Sequence, residues 1–250
     1  MFQGYYDLTS NMITQNRNMN IISNNMTNVS TPGYKEDRLM QSTFRDEMIY
    51  RYDREDSAAR TPVGVVSRMN IADERVTDYT EGGIRETGAP MDVGLTGNGF
   101  FEIQTDNGNV YTRNGSFNLD DNGYLILPGF GRVLGTNGPI RLTTDNIEID
   151  KQGNIMNEGG TQVFGTLRVV DFADYGQLTK VTGGVFRANA QPQAAQGVTI
   201  TQRYLEDSNV NMAEEMTRMM SGQRVLQSSA QLLKMYDQLM AKMVILGSAT

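Results

Sequence analysis

The sequence contains no cysteine and no histidine among its 250 residues. Their absence excludes disulfide bonds, thiolate nucleophiles, zinc sites built on Cys or His, and catalytic triads that use imidazole as the base. Tryptophan is absent as well, which weakens any function that depends on stacking of sugar rings. Chemistry that depends on a thiol or an imidazole is therefore excluded. We also expect a protein that is not an enzyme and that has no cofactor and no metal site, an expectation that rests on the motifs described below.

Clustered positive charge and long apolar runs are also scarce. The chain has 22 Lys and Arg against 29 acidic residues, and its net charge is -7. A nucleic-acid partner would require a concentrated basic surface, so we expect none. The longest apolar stretch near the C-terminus, 239–246, contains Lys242 and is far shorter than the roughly 20 residues of a membrane span. We therefore expect no membrane span. The first residues lack the basic and apolar regions of a secretory signal, so we expect no cleaved signal either.

The first 30 residues carry a heptad pattern, because apolar positions recur at alternating steps of four and three. Such a pattern predicts a helix that packs against other helices. The positions are Met1, Tyr5, Leu8, Met12, Gln15, Met19, Ile22, Met26 and Val29. Pro32 and Gly33 end the helix, since Pro32 disfavours a helical residue before it and Gly33 tolerates a positive φ. Before Gly33 only Asp7 and Arg17 are charged, which suits a helix surrounded by neighbours.

A second helix is predicted from Asn211 to about residue 246. Asn211 suits the N-cap, and Glu214 stands at the capping-box position. Gly222 is an expected weak point that costs about 1 kcal/mol relative to Ala. One apolar series consists of Met212, Met216, Met219, Gln223, Leu226, Ala230, Leu233, Asp237, Met240 and Val244. A second consists of Val225, Ser229, Leu232, Tyr236, Leu239, Met243 and Leu246. Two adjacent series predict burial against more than one partner.

Methionine is abundant, with 16 residues, and many of them lie in these helical series. A thioether side chain is flexible and adapts to irregular surroundings. We interpret these residues as contacts that adapt to several slightly different neighbours in a helical assembly.

The middle of the chain alternates glycine-containing turns with short β-rich runs. Hairpins are predicted for 100–104 with 110–113, for 116–119 with 124–127, and for 147–149 with 155–156. A further strand is expected at 163–171. We place an all-β domain at 88–189, with linkers at 36–87 and 190–208. The expected fold is α+β: a discontinuous coiled-coil helical layer from 1–35 and 209–250, with the all-β domain inserted.

Two patterns imitate chemical sites. Asn118, Asp120 and Asn122 resemble the start of a calcium loop, but Gly129 stands where that loop needs a glutamate. The run 94–99 is rich in glycine but lacks the strand and helix of a nucleotide-binding loop. We interpret both as turns, and we expect no catalytic residue.

Several segments carry specific motifs. Residues 23–35 read SNNMTNVSTPGYK, and residues 92–101 read DVGLTGNGFF. The motif YTRNGSF at 111–117 is followed by GYL at 123–125, VLG at 133–135 and GPI at 138–140, and YLEDSNVN at 204–211 precedes Gln223 and Arg224. On these residues the chain resembles the flagellar basal-body rod and hook protein family. It is most similar to the proximal-rod type, with the distal-rod type close behind. Thr27 departs from the alanine usual in that family, and 47–65 matches least.

The resemblance implies a two-layer tube. The terminal helices would form the inner layer of a hollow axial structure, and the β domain would form the outer layer. The partners would be further copies, other axial proteins of rod and hook, and the flagellar export apparatus. The location would be the basal body, outside the cytoplasmic membrane. The expected assembly residues are Tyr5, Leu8, Met12, Met19, Ile22, Asn24, Asn25, Met26, Asn28, Val29, Met212, Met216, Met219, Leu226, Leu233, Tyr236 and Met240.

Three alternatives remain open at this point. Within the family, the chain could be a hook protein, although those usually carry a larger outer insertion. An extracellular carbohydrate-binding module or hydrolase with helical arms would instead show a pocket with converging carboxylates or aromatic platforms. A soluble coiled-coil adaptor would form a defined small oligomer.

Overall fold

The computed structural model of the chain describes residues 2–52, 60–160 and 162–248. Two long helices stand at the two ends of the chain, and all of the described strands lie between them in sequence. This arrangement confirms the predicted α+β class with an inserted β-rich region.

The helices are α1 (Phe2–Thr27), α2 (Met212–Ser248) and a short 3-10 helix (Tyr175–Gln177). The strands are β1 (Asp37–Tyr52), β2 (Arg60–Thr77), β3 (Ile84–Glu86), β4 (Val93–Thr96), β5 (Phe100–Thr105), β6 (Gly108–Thr112), β7 (Asn118–Leu119), β8 (Leu125–Leu127), β9 (Gly131–Gly135), β10 (Gly138–Pro139), β11 (Ile147–Ile149), β12 (Asn154–Asn157), β13 (Val163–Thr166), β14 (Val169–Asp171), β15 (Leu178–Lys180), β16 (Val185–Ala188), β17 (Gln193–Ala194), β18 (Thr199–Gln202) and β19 (Tyr204–Glu206).

The chain divides into two compact units. We call the first the helical unit; it comprises Met1–Met26, Asp37–Asp78 and Met212–Thr250. We call the second the β unit; it comprises Thr27–Glu36 and Tyr79–Asn211. The chain therefore passes from one unit to the other four times.

In the helical unit α1 and α2 lie antiparallel. A Cβ atom built on Gly4 would lie 2.7 Å from Tyr236 Oη, and one built on Gly222 would lie 3.4 Å from Met19 Cγ. The start of α1 therefore lies beside the later part of α2, and the later part of α1 lies beside the start of α2. Gly222 was expected to be a weak point of α2, but it lies where α1 comes close and leaves room for Met19.

Strands β1 and β2 pair along their whole lengths of 16 and 18 residues, from Asp37 opposite Thr77 to Tyr52 opposite Arg60. This ribbon occupies most of the stretch 36–87 that the sequence assigns to a linker. Apolar side chains such as Met40, Met48 and Val63 are exposed on it. The sequence of this stretch shows no sustained alternation of apolar and polar residues, which explains the difference.

The β unit is built around a ten-stranded sheet whose main path runs β15–β16–β6–β5–β9–β8–β7. The three predicted hairpins are present as β5–β6, β7–β8 and β11–β12. The strand expected at 163–171 is instead two strands in different sheets, since β13 pairs with β12 and β14 pairs with β5. The chain changes sheets at Leu167, whose N–H donates to the Gly153 carbonyl oxygen at 2.8 Å.

Successive residues of β5 point to opposite faces of the sheet, and each face has its own core. Phe101 and Ile103 belong to a large aliphatic cluster with Leu95, Leu125 and Ile155. Phe100 belongs to a smaller, mostly aromatic cluster, whose buried members also include Tyr111, Val170, Phe172, Leu178 and Phe186. Both cores lie within the β unit.

The segment 190–208 also differs from the expected linker, because it adds three strands to the β unit. Strand β17 pairs with β14, β18 with β4, and β19 with β3. Between β18 and β19, Arg203 adopts a φ of 67°, and its carbonyl oxygen accepts bonds from the N–H groups of Thr87 and Gly88. This left-handed residue turns the chain from one strand pair to the next.

The turn between β11 and β12 depends on the carboxylate of Asp150. It accepts bonds from the N–H groups of Gln152 and Asn154, both at 2.9 Å, and from Asn154 Nδ2 at 2.7 Å. Desolvation raises the pKa of Asp150, but these hydrogen bonds outweigh it and hold the pKa below its ordinary value of 3.8. A depressed carboxylate pKa contributes stability above the unfolded-state pKa, and that contribution is lost as the pH falls.

We predict that Asp150→Asn lowers the free energy of unfolding at neutral pH. The difference from the wild-type protein should shrink as the pH falls below about 4, where the unfolded carboxyl becomes protonated. Chemical denaturation followed by tyrosine fluorescence at several pH values measures it. Asp145→Asn serves as a control on a loop without these bonds. A difference that is independent of pH would contradict the role assigned to the charge.

Candidate assembly interface

A buried carboxylate joins three distant segments of the β unit. Glu206 Oε1 accepts from Lys35 Nζ at 2.6 Å and from the Gly82 N–H at 3.1 Å. Glu206 Oε2 lies 3.4 Å from Arg113 NH1. All three charged side chains are buried. We call Lys35, Arg113 and Glu206 the Glu206 cluster.

Each member of the cluster reaches it for a local structural reason. Gly33 has a φ of 66°, and it makes a left-handed turn two residues before Lys35, after the end of α1 at Thr27. Arg113 follows the end of β6, and its NH2 donates to the Gly97 carbonyl oxygen at 2.7 Å. Glu206 is the last residue of β19, and its carbonyl oxygen accepts from the Gly33 N–H at 2.7 Å.

The cluster holds two cations against one carboxylate. Burial lowers the pKa of Lys35, while the charge of Glu206 opposes that shift. Lys35 Nζ also donates to the Thr80 carbonyl oxygen at 2.6 Å, which replaces part of its lost hydration. The Arg113 guanidinium lies 5.5 Å from the centre of the Phe100 ring, and its Nε has no hydrogen-bond partner among the described residues. The carboxylate is therefore the group that makes burial of both cations tolerable.

A second polar network lies in the helical unit around Asn25. The Asn25 side chain donates to the Asp37 carbonyl oxygen at 2.8 Å and accepts from the Asp37 N–H at 3.1 Å. Asn25 Nδ2 also reaches Glu215 Oε2 at 3.4 Å, and Glu215 Oε1 accepts from Arg218 NH1 at 2.8 Å. Thr77 Oγ1 donates to Asp37 Oδ1 at 2.7 Å. This Asn25 network connects α1, the ribbon and the start of α2.

The expected assembly residues have a wide range of exposure. Ile22 and Asn25 are buried, whereas Tyr5, Asn24 and Met216 are exposed. The others are half-buried: Leu8, Met12, Met19, Met26, Asn28, Val29, Met212, Met219, Leu226, Leu233, Tyr236 and Met240. Asn28 and Val29 belong to the β unit and not to the helical unit. The sequence therefore located an apolar helical layer, and the role of these residues in assembly stays a prediction.

The covered face of α2 combines positions from both predicted apolar series. Buried Glu215, Gly222 and Ser229 alternate along it with half-buried residues at steps of three and four. The half-buried positions are Met219, Leu226, Leu233, Tyr236 and Met240. Glu215 and Gly222 belong to neither series, and the missing side chain of Gly222 leaves room for Met19 of α1.

Several apolar residues of the two helices consequently remain exposed. On α1 they are Tyr5, Tyr6 and Ile13, and on α2 they are Met216, Met220, Val225, Leu232, Met235, Leu239, Met243 and Val244. We call this set the outer helical face. A helix of a monomeric protein usually carries charged residues on the side away from its core.

The β unit also has a polar groove of about 410 Å³ that is lined by Pro90, Asn146, Ile147, Glu148, Glu158, Gln202 and Arg203. None of these lining residues is aromatic. The Gln202 amide is already used, because it accepts from the Ile149 N–H and donates to the carbonyl oxygens of Pro90 and Ile147. Asn146 likewise donates to Glu158 at 3.1 Å. Much of the groove's polar capacity thus supports the fold.

We predict that Glu206→Gln lowers the free energy of unfolding by about 3–5 kcal/mol, because two buried cations then lack a counterion. Adding Lys35→Met should recover part of this loss, since one uncompensated charge is removed. Denaturant titration followed by tyrosine fluorescence measures both variants. Glu86→Gln, at an exposed position of β3, is the control. If Glu206→Gln were no more destabilising than the control, the cluster would not have the role described.

We predict that Gly33→Ala destabilises the protein by more than about 2 kcal/mol, because it combines a left-handed backbone with overpacking. The added Cβ would lie 2.4 Å from the Arg113 carbonyl carbon and 2.5 Å from the Asn114 nitrogen. Gly83→Ala is the matched control, since nothing lies within 4 Å of a Cβ there. Thermal unfolding compares the two, and equal melting temperatures would rule out a requirement for glycine at position 33.

Three family models match the chain in sequence order. Residues 8–35 match the model described as "Flagella basal body rod protein", and residues 94–157 match "Flagellar hook protein FlgE/F/G D1 domain". Residues 201–246 match "Flagellar basal body rod FlgEFG protein C-terminal". Lys35, Arg113 and Glu206 fall one in each of these ranges, so the buried cluster connects the three matched segments.

Similar proteins extend over nearly the whole chain. The flagellar basal-body rod protein FlgG of Buchnera aphidicola subsp. Acyrthosiphon pisum is 34% identical, covering 92% of this chain and 94% of its own. FlgG of Bacillus subtilis is 31% identical over 98% of both chains. The rod protein FlgF of Caulobacter vibrioides is 29% identical over 90% of this chain and 89% of its own. The chain belongs to the flagellar basal-body rod protein family.

Proposed function

We propose that this structural rod subunit polymerises through the outer helical face into a tubular drive shaft in the flagellar basal body, outside the cytoplasmic membrane. The observation that carries the proposal is the amount of apolar surface that remains on α1 and α2 after they have paired. Leu232 is 43% exposed and Leu239 is 58% exposed, seven residues apart on α2. Residues at that spacing lie on one side of a helix that packs in a coiled coil.

Burial between copies would supply the free energy of assembly. Each Leu or Met transferred from water contributes about 1.5–3 kcal/mol before the cost of ordering it. A head-to-tail contact that does not close on itself extends as a helical tube. The same contact repeated at every subunit gives a stiff shaft.

The polar residues of α1 fit the same arrangement. Asn16, Asn20 and Asn24 are exposed on a helix that carries little charge. Amides bond laterally to neighbouring helices, whereas unpaired charges in such a position would be expensive to desolvate. A helix whose outer side contacts only water would usually carry charged residues there instead of amides.

The ribbon of β1 and β2 also favours assembly. A two-stranded sheet is marginally stable in isolation, and the ribbon pairs with no third strand among the described residues. Contacts with neighbouring subunits would stabilise it.

The proposal extends to the partners of the subunit. Other axial proteins of the flagellum would continue the tube above and below it, and the flagellar export apparatus would deliver the chain. Among the described helices, none has a segment long and apolar enough to cross a bilayer. The subunit would act through these contacts and not through catalysis.

The carbohydrate-binding alternative receives less support. It requires a site with converging carboxylates or aromatic platforms. The polar groove is lined by Glu148 and Glu158 but by no aromatic residue, and its Gln202 is bonded within the fold. The relatives named above are rod proteins over nearly their full lengths.

We predict that Leu232→Asp and Leu239→Asp each abolish polymerisation while the monomer keeps its fold. A charge at these exposed positions costs the monomer little, but between copies it would be buried without a partner. Sedimentation and electron microscopy measure polymerisation, and circular dichroism monitors the fold.

Gln223→Asp is the matched control, since residue 223 is exposed and polar and lies beside the half-buried positions Met219 and Leu226 instead of in the row of Leu239. It should assemble like the wild-type protein. Normal filaments from both leucine variants would refute the outer helical face as the assembly surface.

A further inference from the structure

Four methionines on the outer helical face of α2 present their side chains to solvent. Met216, Met220, Met235 and Met243 are 46–57% exposed. Met216 and Met220 are four residues apart, so they are neighbours on the helix surface. Met235 and Met243 lie on a second row of the same kind with Leu239 between them. We call these four residues the outer methionines.

We propose that the outer methionines are a peroxide-sensitive modification site that controls whether the free subunit can polymerise. The inference rests on the proposed function, because it requires that copies associate through this face. It adds a chemical signal to which the unassembled subunit would respond.

The reaction is transfer of one oxygen atom from hydrogen peroxide to the thioether sulfur. A sulfur lone pair attacks one peroxide oxygen, the O–O bond breaks, and an S–O bond forms. The departing hydroxide takes the proton left on the transferred oxygen and becomes water. The sulfur is oxidised by two electrons to the sulfoxide, and the peroxide is reduced.

The product opposes assembly for a physical reason. Oxidation turns a flexible apolar side chain into a polar, chiral one. Between copies, the sulfoxide oxygen would be buried next to side chains such as Leu239, which offers no hydrogen-bond donor. A buried polar group without a partner is unfavourable, so the oxidised subunit should remain in solution.

Because of the position of these residues, only the free subunit should be oxidised at them by peroxide. Oxidation of methionine follows its accessibility to solvent. Methionines toward the helix pair, such as Met19 and Met219, are already half-covered in one chain. The outer methionines would become covered only when copies associate, and assembled subunits would then resist peroxide.

The experiment uses the full chain with dilute hydrogen peroxide as the probe. Monomer is treated, peroxide is removed, and the critical concentration for polymerisation is measured by sedimentation. Each variant is compared with its own untreated sample, so that changes in basal assembly cancel. Peptide mass spectrometry identifies the oxidised residues, and circular dichroism checks that the fold is retained.

Treatment of the wild-type monomer should raise the critical concentration about tenfold or more. Methionine sulfoxide reductases should reverse the change. A variant with leucine at all four outer methionines should respond far less to peroxide. A second variant with leucine at Met12, Met19, Met219 and Met240 should respond like the wild-type protein.

The outcomes separate the two proposals. If untreated wild-type protein does not polymerise, the proposed function fails. If it polymerises but oxidation of the outer methionines leaves the critical concentration unchanged, the inference about oxidation fails alone. Equal peroxide responses from both leucine variants would likewise overturn it, because sensitivity would then not reside in the outer methionines.

Discussion

The buried carboxylate of Glu206 is the group on which the architecture of the β unit depends. It neutralises Lys35 from the segment that follows α1, and Arg113 from the end of β6. Because a buried cation without its counterion is strongly unfavourable, the three segments are stable only together. The carbonyl oxygen of the same residue also receives the Gly33 N–H, so backbone and side chain fix the two ends of the β unit against each other. These contacts all lie within the β unit, so they do not depend on what the helices contact.

Local signals made much of the fold predictable. The turn that follows α1 was readable from Gly33, which has a positive φ, although α1 itself ends earlier, at Thr27. The hairpins were readable from their glycine turns. The Glu206 cluster was not predictable in the same way. Its members are 171 and 93 residues from Glu206 in sequence, and a charge in a polar segment gives no sign of being buried. The ribbon of β1 and β2 was not predicted because its sequence lacks a sustained alternation of apolar and polar residues.

The helices show a different limit of sequence reasoning. Apolar side chains of α2 stay exposed after α1 has paired with it, whereas their burial against more than one partner stays a prediction. Gly222 is one position that faces α1, since it has no side chain and lets Met19 come close. Leu232 and Leu239 were thus left on the outside, although they are as apolar as Leu226 and Leu233, which are half-buried. Apolar periodicity therefore predicted an apolar helix, and the position of Gly222 identifies a side that lies against α1.

The two units solve the problem of burying polar atoms in opposite ways. The β unit buries charges and pairs them with fixed partners of its own, so its geometry does not depend on contacts with another copy. The outer helical face consists of apolar side chains, and its methionine thioethers tolerate neighbours of differing geometry. In a helical tube, successive contacts of one surface need not be identical, so tolerance has value there. The same soft sulfur that provides it is the atom most open to oxidation, and replacing methionine by leucine would remove both properties at once. Adaptability and chemical sensitivity of this surface are therefore two consequences of one choice of side chain.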